Sequence, residues 1–128
     1  MRLLLDTHAF IWWIDDDAKL SLDARRLVSD GANEIFFSSV SAWEIVLKRG
    51  LGRVEIPEPI DAFIAAQLGA NAFQVLPVHL RHVFALSDLP DAHRDPFDRM
   101  LVSQAVADDL AILSADRHFR AYPAEVVW

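Results

Sequence analysis

Short runs of apolar residues alternate along the chain with longer stretches whose apolar residues recur at helical spacing. Uninterrupted apolar runs, as at 3–5 and 35–37, are typical of strands that are buried on both faces of a sheet. A stretch such as 20–32 has apolar side chains on one side and charged side chains mostly on the other, which predicts an amphipathic helix. The predicted strands are 3–5, 35–37, 73–76, 111–113 and 126–128, and the predicted helices are 7–14, 20–32, 44–49, 60–68, 79–86 and 96–106, with a loop at 87–94.

Strands that alternate with helices predict an α/β fold, because a helical connection returns the chain to the same edge of the sheet and makes the strands parallel. We therefore expect three layers: a mostly parallel central sheet of about four to five strands with helices on both faces. The chain has 128 residues and no internal repeat or low-complexity tract. This length fits a single domain, residues 1–128, that can bury a core without disulfides.

The composition excludes several kinds of functional site. Cysteine is absent, which excludes a disulfide scaffold, a thiolate metal site and a cysteine nucleophile. The net charge of −7 argues against a protein that wraps duplex nucleic acid by charge alone. An acidic protein can still act on nucleic acid if its carboxylates hold divalent cations that reverse the local field.

The first residues offer only three apolar side chains before Asp6, too few for the core of a signal peptide. Residues 62–80 lack charged side chains, but polar residues and a proline interrupt them, so they predict a helix, a turn and a strand instead of a membrane span. We expect a cytoplasmic protein without membrane association.

Four acidic residues fall where a parallel sheet places its functional sites, outside the carboxyl ends of the strands. Asp6 follows the first strand, Glu44 lies on the helix after the second, Asp98 lies near the start of a long helix, and Asp116 follows the fourth strand. Carboxylates that converge in this way repel one another unless protons or divalent cations compensate their charge. The pattern therefore indicates an oxygen-ligated metal site.

Each acid also has a simpler structural explanation. Asp6 could cap the first helix, and Glu44 could close a capping box with Ser41. Asp95 before Pro96 is a strong helix start, and Asp98 then occupies the first turn, where the helix dipole favours a carboxylate. These explanations leave unexplained why all four acids lie at the same end of successive elements.

Four segments, in this order along the chain, resemble the PIN-domain ribonucleases, and more narrowly the VapC-type toxins of toxin–antitoxin pairs. They are LLLDTH at 3–8, SVSAWEI at 39–45, HRDPFDRML at 93–101 and ILSAD at 112–116. The resemblance implies a PIN-like three-layer fold and an active site of Asp6, Glu44, Asp98 and Asp116 that binds Mg²⁺ or Mn²⁺. Ser114, where the family often has Thr, and Arg99 would support this site.

The resemblance also implies the reaction and the partners. A metal-activated water would hydrolyse RNA and leave a 5′-phosphate and a 3′-hydroxyl, with Asp6 and Asp98 as direct ligands. Glu44 would ligate the metal or orient its water, and Asp116 would complete a second site or act through water. The expected partners are an RNA substrate, a VapB-like antitoxin and a second copy of the chain in a homodimer.

Two alternatives remain open from the sequence alone: a receiver-type phosphate-accepting signalling domain, and a catalytically silent PIN-like module that only binds RNA or a partner. Against a receiver, the third predicted strand ends without an acid and no lysine follows Lys48. His79 and His82 are expected to be ordinary surface or core histidines, whereas His8 and His93 are close enough to the acids to support them. For Trp12 and Trp13, either one is exposed and anchors the antitoxin or both lie at the edges of a buried helix.

Overall fold

The computed structural model describes residues 1–128 and contains one five-stranded sheet. In spatial order the strands are β3, β2, β1, β4 and β5, and every neighbouring pair is parallel. The predicted α/β fold is confirmed, and the sheet is wholly instead of mostly parallel. The strands are β1 (Arg2–Leu5), β2 (Glu34–Ser38), β3 (Gln74–Leu76), β4 (Ala111–Leu113) and β5 (Val126–Val127).

Six helices cover the two faces of the sheet. They are α1 (Thr7–Ile14), α2 (Leu22–Ser29), α3 (Ser39–Gly50), α4 (Ile60–Ala70), α5 (Leu80–Ala85) and α6 (Pro96–Asp108). Two 3₁₀ turns are also present: Leu86–Asp88, which begins at the last residue of the predicted helix 79–86, and Arg117–Ala121, in a segment without a predicted helix or strand. None of the helices is long and apolar enough to cross a membrane.

The alternation of side chains along β1 divides the core into two apolar layers. Leu3 and Leu5 pack in the layer that holds Phe10 of α1 and Ile64 of α4. Leu4 points to the opposite face and packs in the layer that α6 covers. Because β1 is buried on both faces at the centre of the sheet, the position of its last residues is fixed from all sides.

Helix boundaries differ from the sequence prediction where a side chain bonds the backbone. Ser21 caps α2 by accepting a hydrogen bond from the amide of Ala24, so the helix begins after Leu20, which is nevertheless buried. Ser38 caps α3 in the same way, and this helix begins well before Glu44. α4 continues two residues beyond the predicted end.

Candidate active site

Asp6 lies directly after β1, where the parallel pairing of Leu5 with Leu113 brings it beside Ser114. One carboxylate oxygen caps α1 by accepting a hydrogen bond from the amide of Ala9 at 2.7 Å, and the other accepts one from Ser114 Oγ at 2.5 Å. Burial raises the pKa of the Asp6 carboxyl, although the two hydrogen bonds act in the opposite direction. The residue is therefore both a cap and a desolvated carboxyl.

Glu44 is buried on α3, and its carboxylate is used in tertiary contacts. Thr7 Oγ1 donates a hydrogen bond to Glu44 Oε1 at 2.6 Å, and the Lys48 ammonium forms an ion pair with Oε2 one helical turn further on. Since α3 begins at Ser39, Ser41 is not its cap, and the capping-box explanation of Glu44 is wrong. The contact with Thr7 instead ties Glu44 to the segment that carries Asp6.

Asp98 occupies the first turn of α6. Asp95 caps this helix, as predicted, by accepting hydrogen bonds from the amides of Phe97 and Asp98 at 2.9 and 3.1 Å. His93 Nε2 lies 3.0 Å from Asp98 Oδ2. Burial, together with the negative charges of Asp95 and Glu44, raises the pKa of Asp98 to about 7 against the opposing effect of His93.

Asp116 lies just beyond β4 and begins the second 3₁₀ turn. Its Oδ1 accepts a hydrogen bond from the amide of His118 at 2.9 Å and lies 2.8 Å from His118 Nδ1. Burial raises the pKa of Asp116, but the hydrogen bonds from His118 and the nearby charges of His118 and His93 outweigh it, so the net pKa is lowered. Ser114 Oγ accepts a hydrogen bond from the Asp116 amide and so links this residue to Asp6.

The four predicted acids form a connected group. Asp6 meets Asp116 through Ser114, and the charge of Asp116 contributes to the raised pKa of Asp6. Glu44 contributes similarly to the raised pKa of Asp98. The tightest set of ligand atoms, however, is that of His93, Asp95 and Asp98, which lie within 4.8 Å of one another. Asp95 was predicted only as a cap, and the HRDPFD segment was the signal that His93 and Asp98 belong beside it.

Arg99 does not contact the acids. Its guanidinium donates hydrogen bonds to the Pro90 carbonyl at 2.9 Å and to Tyr122 Oη at 3.2 Å. Tyr122 in turn donates to the carbonyl of His93. Arg99 therefore supports the site indirectly, by fixing the loop that carries His93.

The tryptophan pair is not exposed on either side. Trp13 Nε1 donates a hydrogen bond to Asn71, and Trp12 packs edge-on against Trp128, so each ring is half-buried at one edge of α1. Of the two alternatives for this pair, the structure supports burial at the edges of α1 and not an exposed anchor. The exposed tryptophan is Trp43, 59% accessible, which precedes Glu44 and contacts Phe97.

His82 is the core histidine that the sequence suggested. Its ring is fully buried, accepts a hydrogen bond from the amide of His79 and lies 2.9 Å from Asp108. Arg81 binds the same carboxylate through two hydrogen bonds and lowers the pKa of Asp108 to about 2. The cluster joins α5 to α6 on the flank of the molecule.

Residues 3–125 match the family model of the PIN domain. This chain belongs to the PIN domain family. As a PIN domain it is similar to two curated proteins of Mycobacterium tuberculosis, Ribonuclease VapC22 and Ribonuclease VapC16. The chain is 23% identical to VapC22, and the match covers 94% of this chain and 91% of VapC22. It is 32% identical to VapC16, and that match covers 56% of this chain and 57% of VapC16.

Solved structures share the PIN fold at low sequence identity. VapBC2 from Rickettsia felis, bound to a DNA fragment from its promoter, superposes with a TM-score of 0.74 at 16% identity, covering 99% of this chain and 98% of the other. DNA-bound VapBC from Salmonella typhimurium superposes with a TM-score of 0.70 at 16% identity, covering 99% of this chain and 97% of the other. Membership in the PIN domain family argues against the receiver-type alternative.

Proposed function

We propose that the protein, acting as a single domain in the cytoplasm, is a metal-dependent ribonuclease and the toxin of a toxin–antitoxin pair. The observation that carries the proposal is the gathering of four acids with little compensating positive charge. Lys48, bound to Glu44, is the only lysine or arginine that contacts any of them. Asp6 and Asp98 carry raised pKa values because their charge is desolvated. Such a site favours a divalent cation.

The residues present fit Mg²⁺ or Mn²⁺, since both ions prefer carboxylate oxygens. Asp6 and Asp98 would be direct ligands, with Glu44 and Asp116 binding directly or through water. When bound, the metal would neutralise the phosphodiester and lower the pKa of the attacking water. Asp98, whose pKa is about 7, must lose its proton before it can serve as a ligand.

The chain's own groups set the geometry of this reaction. Ser114 and the amide of Ala9 fix both oxygens of Asp6, and Thr7 fixes Glu44. No side-chain nucleophile is needed, since water attack on RNA would leave a 5′-phosphate and a 3′-hydroxyl. Exposed Arg94 and Arg117 flank the acids in sequence and would attract the RNA backbone despite the net charge of −7.

The proposed partner is a VapB-like antitoxin, supported by the similar structures, which are of VapBC bound to DNA. An arginine or lysine from an antitoxin would find unpaired carboxylate oxygens in this site and block it. We expect the protein to co-purify with the product of an adjacent upstream gene, and addition of that product to inhibit cleavage. A co-expressed upstream product that neither binds nor inhibits would contradict this assignment.

Cleavage of RNA by the purified protein tests the catalytic part. Single-stranded and structured RNAs should be cut in the presence of Mg²⁺ or Mn²⁺ and remain intact with EDTA. Asp6→Asn should abolish cleavage, and Asp61→Asn, which changes an exposed acid on α4 far along the chain from the four acids, should leave it unchanged. Cleavage that persists in EDTA would refute the metal dependence. A folded wild-type protein that binds RNA without cutting it would favour the catalytically silent module.

A further inference from the structure

Two histidines from distant parts of the chain form a bridge between two of the acids. The rings of His93, in the loop before α6, and His118, in the turn after β4, stack in parallel with centroids 4.5 Å apart and planes 7° apart. His93 bonds Asp98 Oδ2 at 3.0 Å, and His118 bonds Asp116 Oδ1 at 2.8 Å. The order across the site is thus Asp98, His93, His118, Asp116.

We propose that this histidine clasp, His93 stacked on His118, positions Asp98 and Asp116 for the binding of divalent cations in the acidic site; the proposal rests on the metal-dependent function above. Each histidine occupies one carboxylate oxygen, and Asp98 Oδ1 and Asp116 Oδ2 accept no hydrogen bond from the protein. A hydrogen bond to one oxygen fixes the rotation of a carboxylate, so the other oxygen is presented in a set direction. The histidines are positioning residues.

The clasp is needed because its two acids belong to different structural units. Asp98 is held by α6 and Asp116 by the turn after β4, and two negative side chains so placed would otherwise rotate apart. The stacking contact couples the two units without adding a negative charge. On the His93 side, Tyr122 bonds the His93 carbonyl and is itself bound by Arg99, so one end of the clasp rests on a fixed loop.

A different role for His93 would follow if it were itself a ligand, since its ring nitrogen lies within 4.8 Å of carboxylate oxygens of Asp95 and Asp98. In that case His118 would be irrelevant to metal binding, and an amide in place of the His93 imidazole would offer the metal a different, weaker ligand atom. The stack argues for the clasp, because it joins His93 to a histidine whose only acidic partner is Asp116.

Calorimetric titration of the full chain with Mn²⁺ separates these roles. His93→Ala and His118→Ala should each raise the Kd for Mn²⁺ by roughly 10- to 100-fold, the usual effect of removing a group that orients a ligand. His93→Gln and His118→Asn place an amide donor near the lost ring nitrogen and should recover most of the affinity. Arg120→Gln, on the same turn as His118 but without contact to an acid, is the matched control and should bind as the wild type does.

The double variant His93→Ala/His118→Ala should lose little more affinity than either single variant, because both changes break the same bridge. Additive losses, unchanged affinity in the alanine variants, or a loss confined to His93 that glutamine does not recover would each overturn the clasp. If Arg120→Gln weakens Mn²⁺ binding equally, the losses come from a general charge effect and not from the clasp. Failure of the wild type to bind Mn²⁺ would overturn the proposed function itself, and the clasp with it.

Discussion

At the residue scale, Asp98 is a carboxyl whose ionisation is unfavourable in the folded protein. Its pKa of about 7 exceeds the value of an unfolded chain, so between about pH 4 and pH 7 the folded state binds more protons than the unfolded state. Stability of the metal-free protein must therefore fall as the pH rises through this window. The fold therefore holds the Asp98 carboxyl in a place where its negative charge is unfavourable.

This predicts that Asp98→Asn stabilises the metal-free protein. The free energy of unfolding at pH 8 should rise by roughly 1 to 3 kcal/mol, because the amide keeps an acceptor for His93 but carries no buried charge. The gain should disappear near pH 4, where the wild-type carboxyl is protonated. Urea denaturation in EDTA at both pH values measures this, with exposed Asp88→Asn as control; an equal gain at pH 4 and pH 8 would contradict the charge explanation.

Asp95 and Asp98 should respond differently to the same substitution. Asp95→Asn keeps the oxygen that accepts the two helix amides, so RNA cleavage with saturating Mg²⁺ should stay within about threefold of the wild type. Asp98→Asn removes a ligand charge and should abolish cleavage. Comparable loss in both variants would make Asp95 a ligand and not a cap.

The sequence identified the acids of the site but not the groups that orient them. Asp6 and Asp116 were predictable because strand ends in a parallel sheet share one edge. Thr7 beside Glu44, and His118 stacked on His93, depend on the packing of segments far apart in the chain, which no local pattern specifies. The way in which Arg99 supports the site could not be predicted for the same reason, since its partners Pro90 and Tyr122 lie in other segments.

At the element scale, α5 is a six-residue helix that depends on one carboxylate of α6 for its attachment. Asp108 receives two hydrogen bonds from Arg81 and one from buried His82, and Ser103 donates to the His82 carbonyl. Because the folded pKa of Asp108 is lowered to about 2, its contribution to stability is complete above about pH 4 and is lost as the pH falls toward 2.

We expect Asp108→Ala to lower the free energy of unfolding at pH 7 by about 1 to 3 kcal/mol, since it leaves the buried ring nitrogen of His82 without an acceptor. The difference from the wild type should shrink at pH 2.5. Asp109→Asn is the matched control, because the neighbouring residue is exposed and an asparagine tolerates its left-handed backbone. Equal losses in the two variants at pH 7 would show that the cluster does not hold α5.

Element types could be predicted more reliably than element ends. β4 was predicted with its observed limits because a short apolar run ends there at the polar Ser114. The start of α2 shifted because Ser21 bonds the backbone of Ala24, a choice between competing hydrogen bonds that periodicity does not register. The limits of the 3₁₀ turn Arg117–Ala121, which carries His118 to the site, could not be predicted because its apolar residues are too few to show a period.

At the scale of the whole molecule, α5 presents an apolar face that no other element covers. Leu80 and Phe84, one turn apart, are 70% and 67% exposed, and Val83 lies beside them. A contiguous apolar patch of this kind is typical of an interaction surface, and the homodimer expected from the sequence would cover it.

Light scattering after size-exclusion chromatography should therefore give twice the chain mass of 14.4 kDa. The double variant Leu80→Ser/Phe84→Ser should give a monomer, because it removes the apolar area that a second copy would bury. Leu22→Ser, which changes an equally exposed leucine on α2, should leave the dimer intact. A monomeric wild type, or a double variant that remains dimeric, would refute this interface.

The central position of β1 in the sheet bears on how the protein is made. β1 pairs with β2 on one side, but its other neighbour, β4, is translated only after α6. Asp6 cannot meet Ser114 and Asp116 until that strand has docked. A nascent chain, or one that terminates before β4, consequently has no assembled site, so synthesis of this protein does not expose the ribosome that makes it to an active nuclease before β4 has emerged.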